Sequence, residues 1–404
     1  MKVFVVNCGS SSIKYQLFSM THETVLAKGV MERVGTEDAN LAHTANGDKY
    51  EKDVSAPDHG AGLKLILAAL TDPDMGGVLK SIDEIQGVGH RVVHGGEDLT
   101  GATLIDDTAL AIIEKNAELA PLHNPPNLAG IRGAQAAMPD VPQVAVFDTA
   151  FLSTLPPHAH RYAVPEEWYL RHHVRKYGFH GTSHKYVTLH TAELMGKDPD
   201  DMNLVTCHLG NGCSMTAVVG GRAVDHSMGM TPLEGLMMGT RTGDVDPAIV
   251  LYMLGRGLGR EEIDKAMNKE SGLLGVSGMS NDMRDLLSAE EEGNAKAALA
   301  VRMFSYRLAK YIGSYIAILP KVDAVVFTGG IGENSHPVRA RTIKRLENLG
   351  VKLDEQRNAD TIRGKQGPIT TDDSTIAFWI VPTNEELMIA RETRQIVEQM
   401  ASAT

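Results

Sequence analysis

The 404-residue sequence is poor in cysteine, with Cys8, Cys207 and Cys213 as its whole complement. So sparse and odd a count argues against a disulfide framework and suits a reducing compartment. Cys207 and Cys213 lack C-x-x-C spacing, so they are expected to be buried small apolar side chains rather than zinc or redox groups. No apolar run reaches membrane-spanning length, and no membrane partner is expected. The apolar start Met1-Lys2-Val3-Phe4-Val5-Val6 is ended by Asn7 too early for a signal h-region. It reads as a strand, and a cytoplasmic location is the expectation. Basic charge is also short. Lys+Arg number 39 against 51 Asp+Glu, a formal net charge of −12. Binding nucleic acid calls for an excess of Lys and Arg, so no nucleic-acid partner is expected. A small anionic substrate stays open, because a local basic pocket can sit in an acidic surface.

Several motifs are absent too. There is no G-x-x-x-x-G-K-[ST], no strand–turn–helix G-x-G-x-x-G and no H-E-x-x-H, so the P-loop, protein-kinase, Rossmann and zincin readings fall away. Gly255-Arg-Gly-Leu-Gly259 has the wrong spacing and reads as a turn between helices. His180 and His184 stand four apart, but Gly181 between them argues against a zinc-bearing helix.

What is present is an α/β pattern. Strands are predicted at Val3–Asn7, Ile13–Phe18, Gln86–Val93, Gln143–Asp148, Leu204–His208, Met215–Val219, Ala324–Thr328 and Ala377–Val381. Helical periodicity marks Gly60–Leu70, Thr108–Leu119, Asn127–Ala137, Lys185–Leu194, Pro247–Leu254, Ala295–Leu319 and Glu385–Gln399. The stretch Val3–Phe18 reads strand, Gly/Ser turn, strand, and Leu204–Val219 repeats that reading half a chain later. Either two hairpins resemble each other by chance, or a domain is duplicated. The expected organisation is an N-terminal domain of residues 1–150 plus 386–404 and a C-terminal domain of 151–385. Mixed sheets are expected in both. Hinges are expected near Asp148–Leu155 and Thr383–Glu385.

Two residue sets carry chemistry. Asn7-Cys-Gly-Ser-Ser-Ser12, His208-Leu-Gly-Asn-Gly212 and Thr328-Gly-Gly-Ile-Gly-Glu-Asn334 are polar, Gly-rich turns at strand ends. Turns of this kind present backbone N–H groups to phosphate oxygens. Arg91, His123, His180 and Arg241 lie in Gly- or Pro-bounded loops and look like a cluster that stabilises negative charge.

These segments resemble the acetate kinase family. The resemblance is carried by Asn7–Lys14, Gly89–Gly96, Pro121–Pro125, Val146–Phe151, Tyr177–His184, His208–Gly212, Asp225–Pro247, Thr328–Asn334 and Pro382–Glu386, and so spans nearly the whole chain. It implies two duplicated actin-like (ribonuclease H-like) domains flanking a nucleotide cleft, usually in a homodimer. The implied reaction is reversible transfer of a phosphoryl group from ATP to acetate, giving acetyl phosphate and ADP. By resemblance, Asn7 and Glu385 neighbour Mg²⁺, with Mn²⁺ as the alternative ion. Ser10, Ser12 and Lys14 belong to the first phosphate-facing turn. Arg91 holds the carboxylate, and Val93, Leu122, Phe179 and Pro232 form the methyl pocket. His123, His180 and Arg241 stabilise the transferring group, and Asp148 is the essential acid. His208, Leu209, Gly210, Asn211 and Gly212, with Asp282, Met283, Arg284, Gly330, Ile331, Gly332, Glu333 and Asn334, are implied to bind ATP. The sequence departs from the family pattern at Leu152, where His is common, and at Cys213, where Gly or Ala is common.

The chemistry asks for such groups. A carboxylate acceptor, with a pKa of about 4 to 5 like Asp and Glu, is already ionised at neutral pH. It needs cations and donors more than a base, because it must approach a polyanion. Asp148 is therefore expected to orient an arginine, a histidine or hydrated Mg²⁺; capping a loop after a strand is the alternative. The rival functions are a propionate or butyrate kinase, and a chaperone- or actin-type nucleotide switch sharing the fold. The switch would require a client-binding region after the final helix, and the expectation is that none follows Thr404.

Overall fold

The computed structural model describes residues Met1–Ala403. The chain forms two compact units. Unit 1 comprises Met1–Phe151 and the segment from Asn384 onward, and unit 2 comprises Leu152–Thr383. Glu385, expected in the second domain, opens the C-terminal helix Glu385–Ala403 of unit 1.

Unit 1 is built on one mixed sheet of β1 (Lys2–Cys8), β2 (Ser12–Ser19), β3 (Thr24–Glu32), β4 (Thr36–Ala45), β5 (Asp48–Ala56), β6 (Gly87–Val92), β7 (Thr103–Leu104) and β8 (Gln143–Phe147). Their spatial order is β5-β4-β3-β2-β1-β6-β8-β7. β1, β2 and β3 are antiparallel neighbours, whereas β6 runs parallel to β1 and β8 parallel to β6. Unit 2 carries β9 (Asn203–Leu209), β10 (Cys213–Val219), β11 (Arg222–His226), β12 (Ala324–Thr328), β13 (Gly367–Pro368) and β14 (Ala377–Ile380), ordered β11-β10-β9-β12-β14-β13. Again the first three strands are antiparallel, and β9, β12 and β14 are mutually parallel. The orders β3-β2-β1-β6-β8 and β11-β10-β9-β12-β14 are one topology used twice. That is the duplication the two hairpins foreshadow.

The core of unit 1 lies where apolar residues alternate along the strands. Phe4, Val6, Ile13, Tyr15, Leu17, Met31 and Leu41 are buried together with Leu63 and Ile66 of the helix His59–Thr71. Burying each such aliphatic or aromatic side chain is worth roughly 1.5–3 kcal/mol. The C-terminal helix packs on β6 at two glycines. A Cβ at Gly87 would lie 3.2 Å from both Thr393 and Val397, and one at Gly89 would collide with Thr393 and Ile389. The missing side chains let the helix lie close on the strand, which sets its first residue, Glu385, beside the end of β6.

In both units the parallel strands finish on one edge of their sheet. Open α/β sheets bind ligands beyond the carboxyl ends of such strands.

Candidate active site

In unit 1 that edge carries Asn7 at the end of β1, Arg91 at the end of β6 and Asp148 just after β8. The register brings them level, since Val6 pairs with His90 and Arg91 with Val146. Arg91 donates through Nε to Asp148 Oδ1 at 3.0 Å and through Nη2 to Oδ2 at 2.5 Å. This is the planar, bidentate fork that lysine cannot make. Nη1 donates to Asn7 Oδ1 at 3.4 Å. The Asp148 side chain is 2% exposed and that of Arg91 24%. Burial disfavours the guanidinium charge, but Asp148, Glu385 and Glu386 outweigh it and raise the Arg91 pKa. Glu385 is pushed up to about 7 by burial and by Asp148 and Glu386, against the pull of Arg91 and Lys14. This corner therefore holds more carboxylate than its cations balance.

Asn7, Asp148 and Glu385 offer hard oxygen donors of the kind Mg²⁺ prefers, and the excess of carboxylate would favour a cation. Among the described residues no group of three or more His, Cys, Asp and Glu side chains forms a metal cage. Mg²⁺ does not require one, because it keeps waters and shares substrate phosphates while taking one or two carboxylates. The residues fit the ion.

The first Gly/Ser turn is closed by its own backbone. Gly9 N–H donates to Ser12 O at 2.8 Å, Val34 N–H donates to Ser11 O at 3.0 Å, and His59 donates through Nε2 to Gly9 O at 2.7 Å. Ser10 and Lys14 stand exposed and Ser12 is half-buried. The helix Asn124–Ala137 approaches so closely that a Cβ at Gly130 would strike Cys8 Sγ. Its first turn supplies two residues that sequence reasoning missed. Asn127 Nδ2 donates to Cys8 O at 2.8 Å, while its Oδ1 accepts from Val93 N–H at 3.1 Å. Asn124 accepts from His94 N–H and donates to His94 O and Ile113 O. The available signal was two amides on the inward side of a helix start, directly after His123, which occupies the N-cap. Val93 is buried, whereas Leu122 stands at the surface, 70% exposed.

In unit 2 the corresponding edge gathers another set. The rings of His180 and His208 lie 4.4 Å apart. Gly212 sits between His180 and Arg241: a Cβ there would be 3.4 Å from His180 Nε2 and 3.6 Å from Arg241 Nη1. Arg241 donates to Pro232 O at 3.3 Å, and burial lowers its pKa despite the Cys213 sulfur nearby. Phe179 is buried, and its N–H donates to His226 Nε2 at 3.2 Å. His208 Nδ1 and Thr383 Oγ1 both meet Ser183 Oγ, at 2.8 and 2.7 Å.

Asn211 ties the turn to its surroundings. Its carbonyl accepts from Gly239 N–H at 2.9 Å, and its Oδ1 accepts from Asn281 Nδ2 at 2.9 Å. The second bond brings the Asp282–Arg284 segment to the turn. Asp282 caps the helix Met283–Glu291 and also holds Arg284, whose side chain extends into solvent. Leu209 and Met283 are buried, so a ligand would meet them through backbone.

The Gly-rich segment after β12, read from the sequence as a turn, is itself helical over Gly329–Asn334, with Thr328 at the N-cap, and it precedes the helix His336–Lys344. Glu333 turns back into that turn, its Oε1 accepting from Thr328 Oγ1, Gly329 N–H and Thr383 N–H. Asn334 likewise donates to Gly330 O and accepts from Arg363 N–H. These two side chains brace the turn. So does Arg339, a residue that sequence reasoning missed. Fully buried, it donates to Gly332 O, Glu333 O, Asn358 Oδ1, Asn358 O and Thr361 O. Burial pushes its pKa down to about 10.

Both departures from the family pattern are accommodated. Cys213 donates its S–H to Gly210 O at 3.2 Å and closes the turn, while burial pushes its thiol up to about 12. Leu152 is fully buried against Gly178, where a Cβ would come within 2.5 Å of its Cδ1. All three cysteines are free and buried. No helix among the described residues is long and apolar enough to cross a membrane.

Known proteins share this arrangement along their full length. The family model described as the acetokinase family matches residues 2–391. A curated acetate kinase of Natranaerobius thermophilus is 52% identical over 401 residues, covering 98% of this chain and 100% of the relative. The crystal structure of Porphyromonas gingivalis acetate kinase superposes with a TM-score of 0.94 at 45% identity, covering 98% of this chain and 99% of that one. A propionate kinase from Francisella tularensis superposes at 0.90 with 41% identity and the same coverage. A family model that matches residues 2–391, with relatives of this identity and coverage, means that the chain belongs to the acetokinase family.

Proposed function

We propose that the protein transfers the γ-phosphoryl group of ATP to acetate, reversibly, giving acetyl phosphate and ADP. One acetate oxygen forms a bond to the γ-phosphorus in line with the breaking bond to the β-phosphate bridging oxygen, and ADP leaves with that electron pair. The observation that carries this reading is that the strand-end edge of each unit, taken by itself, sets an arginine-bearing polar cluster near a Gly-rich turn. Arg91, held by Asp148, is the group we assign to the acetate carboxylate. His180 and Arg241, converging on Gly212, are assigned to the equatorial oxygens of the transferring group, with His123 as a further donor. A loose phosphoryl-transfer transition state is stabilised by such donors, each worth about 3 kcal/mol. Val93, Leu122, Phe179 and Pro232 are assigned to the methyl group. Ser10, Ser12, Lys14 and the segments 208–212, 282–284 and 330–334 are assigned to the nucleotide.

Acetate is ionised at neutral pH, so no step requires a base. Asp148 acts instead by fixing the plane of the Arg91 guanidinium. Asn7 and Glu385, with Asp148 beside them, would hold Mg²⁺. When bound, the ion supplies positive charge to the phosphate oxygens and the ADP leaving group.

The three buried free thiols suit a reducing compartment, and we place the protein in the cytoplasm. We assign the helix Ala248–Gly255 to a homodimer contact. Its sequence AIVLYMLG has no charged residue and no buried one, and Leu251 is 71% and Tyr252 59% exposed. A second copy of the chain would cover this face. Light scattering should then give twice the chain mass, and Leu251→Glu should give the monomer. A monomeric wild type would refute the contact.

The activity is tested by incubating the protein with Mg-ATP and acetate, propionate or butyrate and trapping acyl phosphate with hydroxylamine. Acetate should give the largest signal. One methylene is worth only ~1–3 kcal/mol of discrimination, so propionate should react more weakly rather than not at all. Bound ATP without acyl phosphate from any acid would refute the reading.

A further inference from the structure

Behind His180 runs a line of buried polar side chains that the phosphoryl-transfer chemistry does not itself use. His180 is the N-cap of the helix Gly181–Leu194 and has a left-handed backbone, φ 59°. Its Nδ1 lies 2.9 Å from Ser214 Oγ. The same Ser214 Oγ lies 2.8 Å from Nε2 of His184, and His184 Nδ1 lies 2.7 Å from Thr206 Oγ1. Ser214, His184 and Thr206 are all fully buried. His184 sits on the helix and the other two on the adjacent strands β10 and β9, so the sheet fixes the line.

Counting hydrogens restricts what this line can do. Ser214 has one hydroxyl hydrogen between two ring nitrogens, so it donates to one and accepts from the other. Burial, reinforced by His226 and His208, holds His184 neutral, so that ring carries a single N–H. Two arrangements remain for a neutral His180. In the first, Thr206 O–H donates to His184 Nδ1, His184 Nε2–H donates to Ser214 Oγ, and Ser214 O–H donates to His180 Nδ1. His180 then carries its hydrogen on Nε2, the nitrogen that lies towards Gly212. In the second, every bond is reversed, and Nε2 presents a lone pair. An anionic oxygen is stabilised by an N–H donor and repelled by a lone pair, so the first arrangement serves the transfer.

We propose that Ser214, backed by His184 and Thr206, is a positioning residue that fixes the orientation and tautomer of His180 so that Nε2–H faces the phosphoryl group. The inference rests on the reading of His180 as a phosphoryl-stabilising donor, and the test separates the two.

The test uses the full chain labelled with ¹⁵N-histidine. Two-bond ¹H–¹⁵N spectra report the tautomer of each ring, with His180 assigned from an H180N sample. The wild type should show His180 and His184 both protonated at Nε2. A His180 protonated at Nδ1 would overturn the proposal without any variant having to fold. In S214A the His180 tautomer should become mixed. Its kcat should fall about tenfold, as for the loss of a residue that orients a functional histidine, with KM for ATP and acetate within about twofold. S214T should keep both the tautomer and kcat. If the S214A tautomer is unchanged, the relay is wrong whatever happens to kcat. If the tautomer mixes but kcat holds, the relay stands and the donor role of His180 falls.

Discussion

Asp148→Asn isolates the role of the buried acid. The substitution keeps the side-chain shape and one acceptor oxygen. The other oxygen becomes an NH₂ facing a guanidinium N–H of Arg91. One of two charge-assisted hydrogen bonds is lost, worth about 1.5–3 kcal/mol, and the other weakens. With about 2 kcal/mol lost in a unit of this size, Tm should fall by roughly 4–8 °C. Arg91 loses its fixed plane, so turnover should drop about 10²–10³-fold, as when an aligned donor is removed. The assays are thermal unfolding and steady-state acetyl phosphate formation for D148N, R91A and the double variant. If Asp148 acts through Arg91, D148N costs little once Arg91 is gone. If Asp148 were a base in its own right, its full effect would persist in the R91A background. A D148N enzyme with turnover within twofold of wild type and an unchanged Tm would refute the reasoning and leave Asp148 as a loop cap.

Three further outcomes follow from buried groups. Arg339→Met should destabilise unit 2 by more than about 3 kcal/mol and raise KM for ATP. It leaves carbonyls of Gly332, Glu333, Asn358 and Thr361 without their donor, at about 1–3 kcal/mol each; a Tm within 1 °C of wild type would contradict this. His90 and His94 are buried and their pKa values are pushed down to about 4, below the ordinary 6.5. The unfolded chain therefore binds more protons in that interval. Stability should be complete above pH 6.5 and fall towards pH 4 by about 1.4 kcal/mol per pH unit for each histidine, which urea midpoints at pH 7 and 5 would show. An unchanged midpoint would contradict it. Gly89→Ala should cost about 1–3 kcal/mol by forcing the C-terminal helix off β6, whereas Gly101→Ala, with nothing within 4 Å of its Cβ, should be near neutral. Equal melting temperatures for the two would refute that packing.

The strands that build the two edges were legible because they are short, β-branched and buried on both faces: Val3–Asn7 extends only to Lys2–Cys8, and Ala324–Thr328 is unchanged. β3, β4 and β5 were not legible. Their exposed faces carry Thr, Glu, Asp and Lys, and the sheet ladder rather than a continuous apolar run holds them. The residues of the first contact were readable from motif and turn chemistry, including the echo that proved to be a repeated topology. What escaped was the support beneath them. Asn127, Arg339 and Ser214 are ordinary polar residues in sequence, and their importance comes from facing inward onto backbone or ring nitrogens that chain-distant segments bring to them. The bracing contacts of Glu333 escaped for the same reason, because only the fold shows its carboxylate turned back onto Thr328, Gly329 and Thr383.

The central claim is that Arg91 and Arg241 handle the charge of phosphoryl transfer. The most direct measurement is the rate of acyl phosphate formation from Mg-ATP and acetate in R91A and R241A, with thermal unfolding measured in parallel. Each variant should fold and lose about 10²–10³-fold in turnover. A folded R91A or R241A enzyme that forms acetyl phosphate at the wild-type rate would contradict the account.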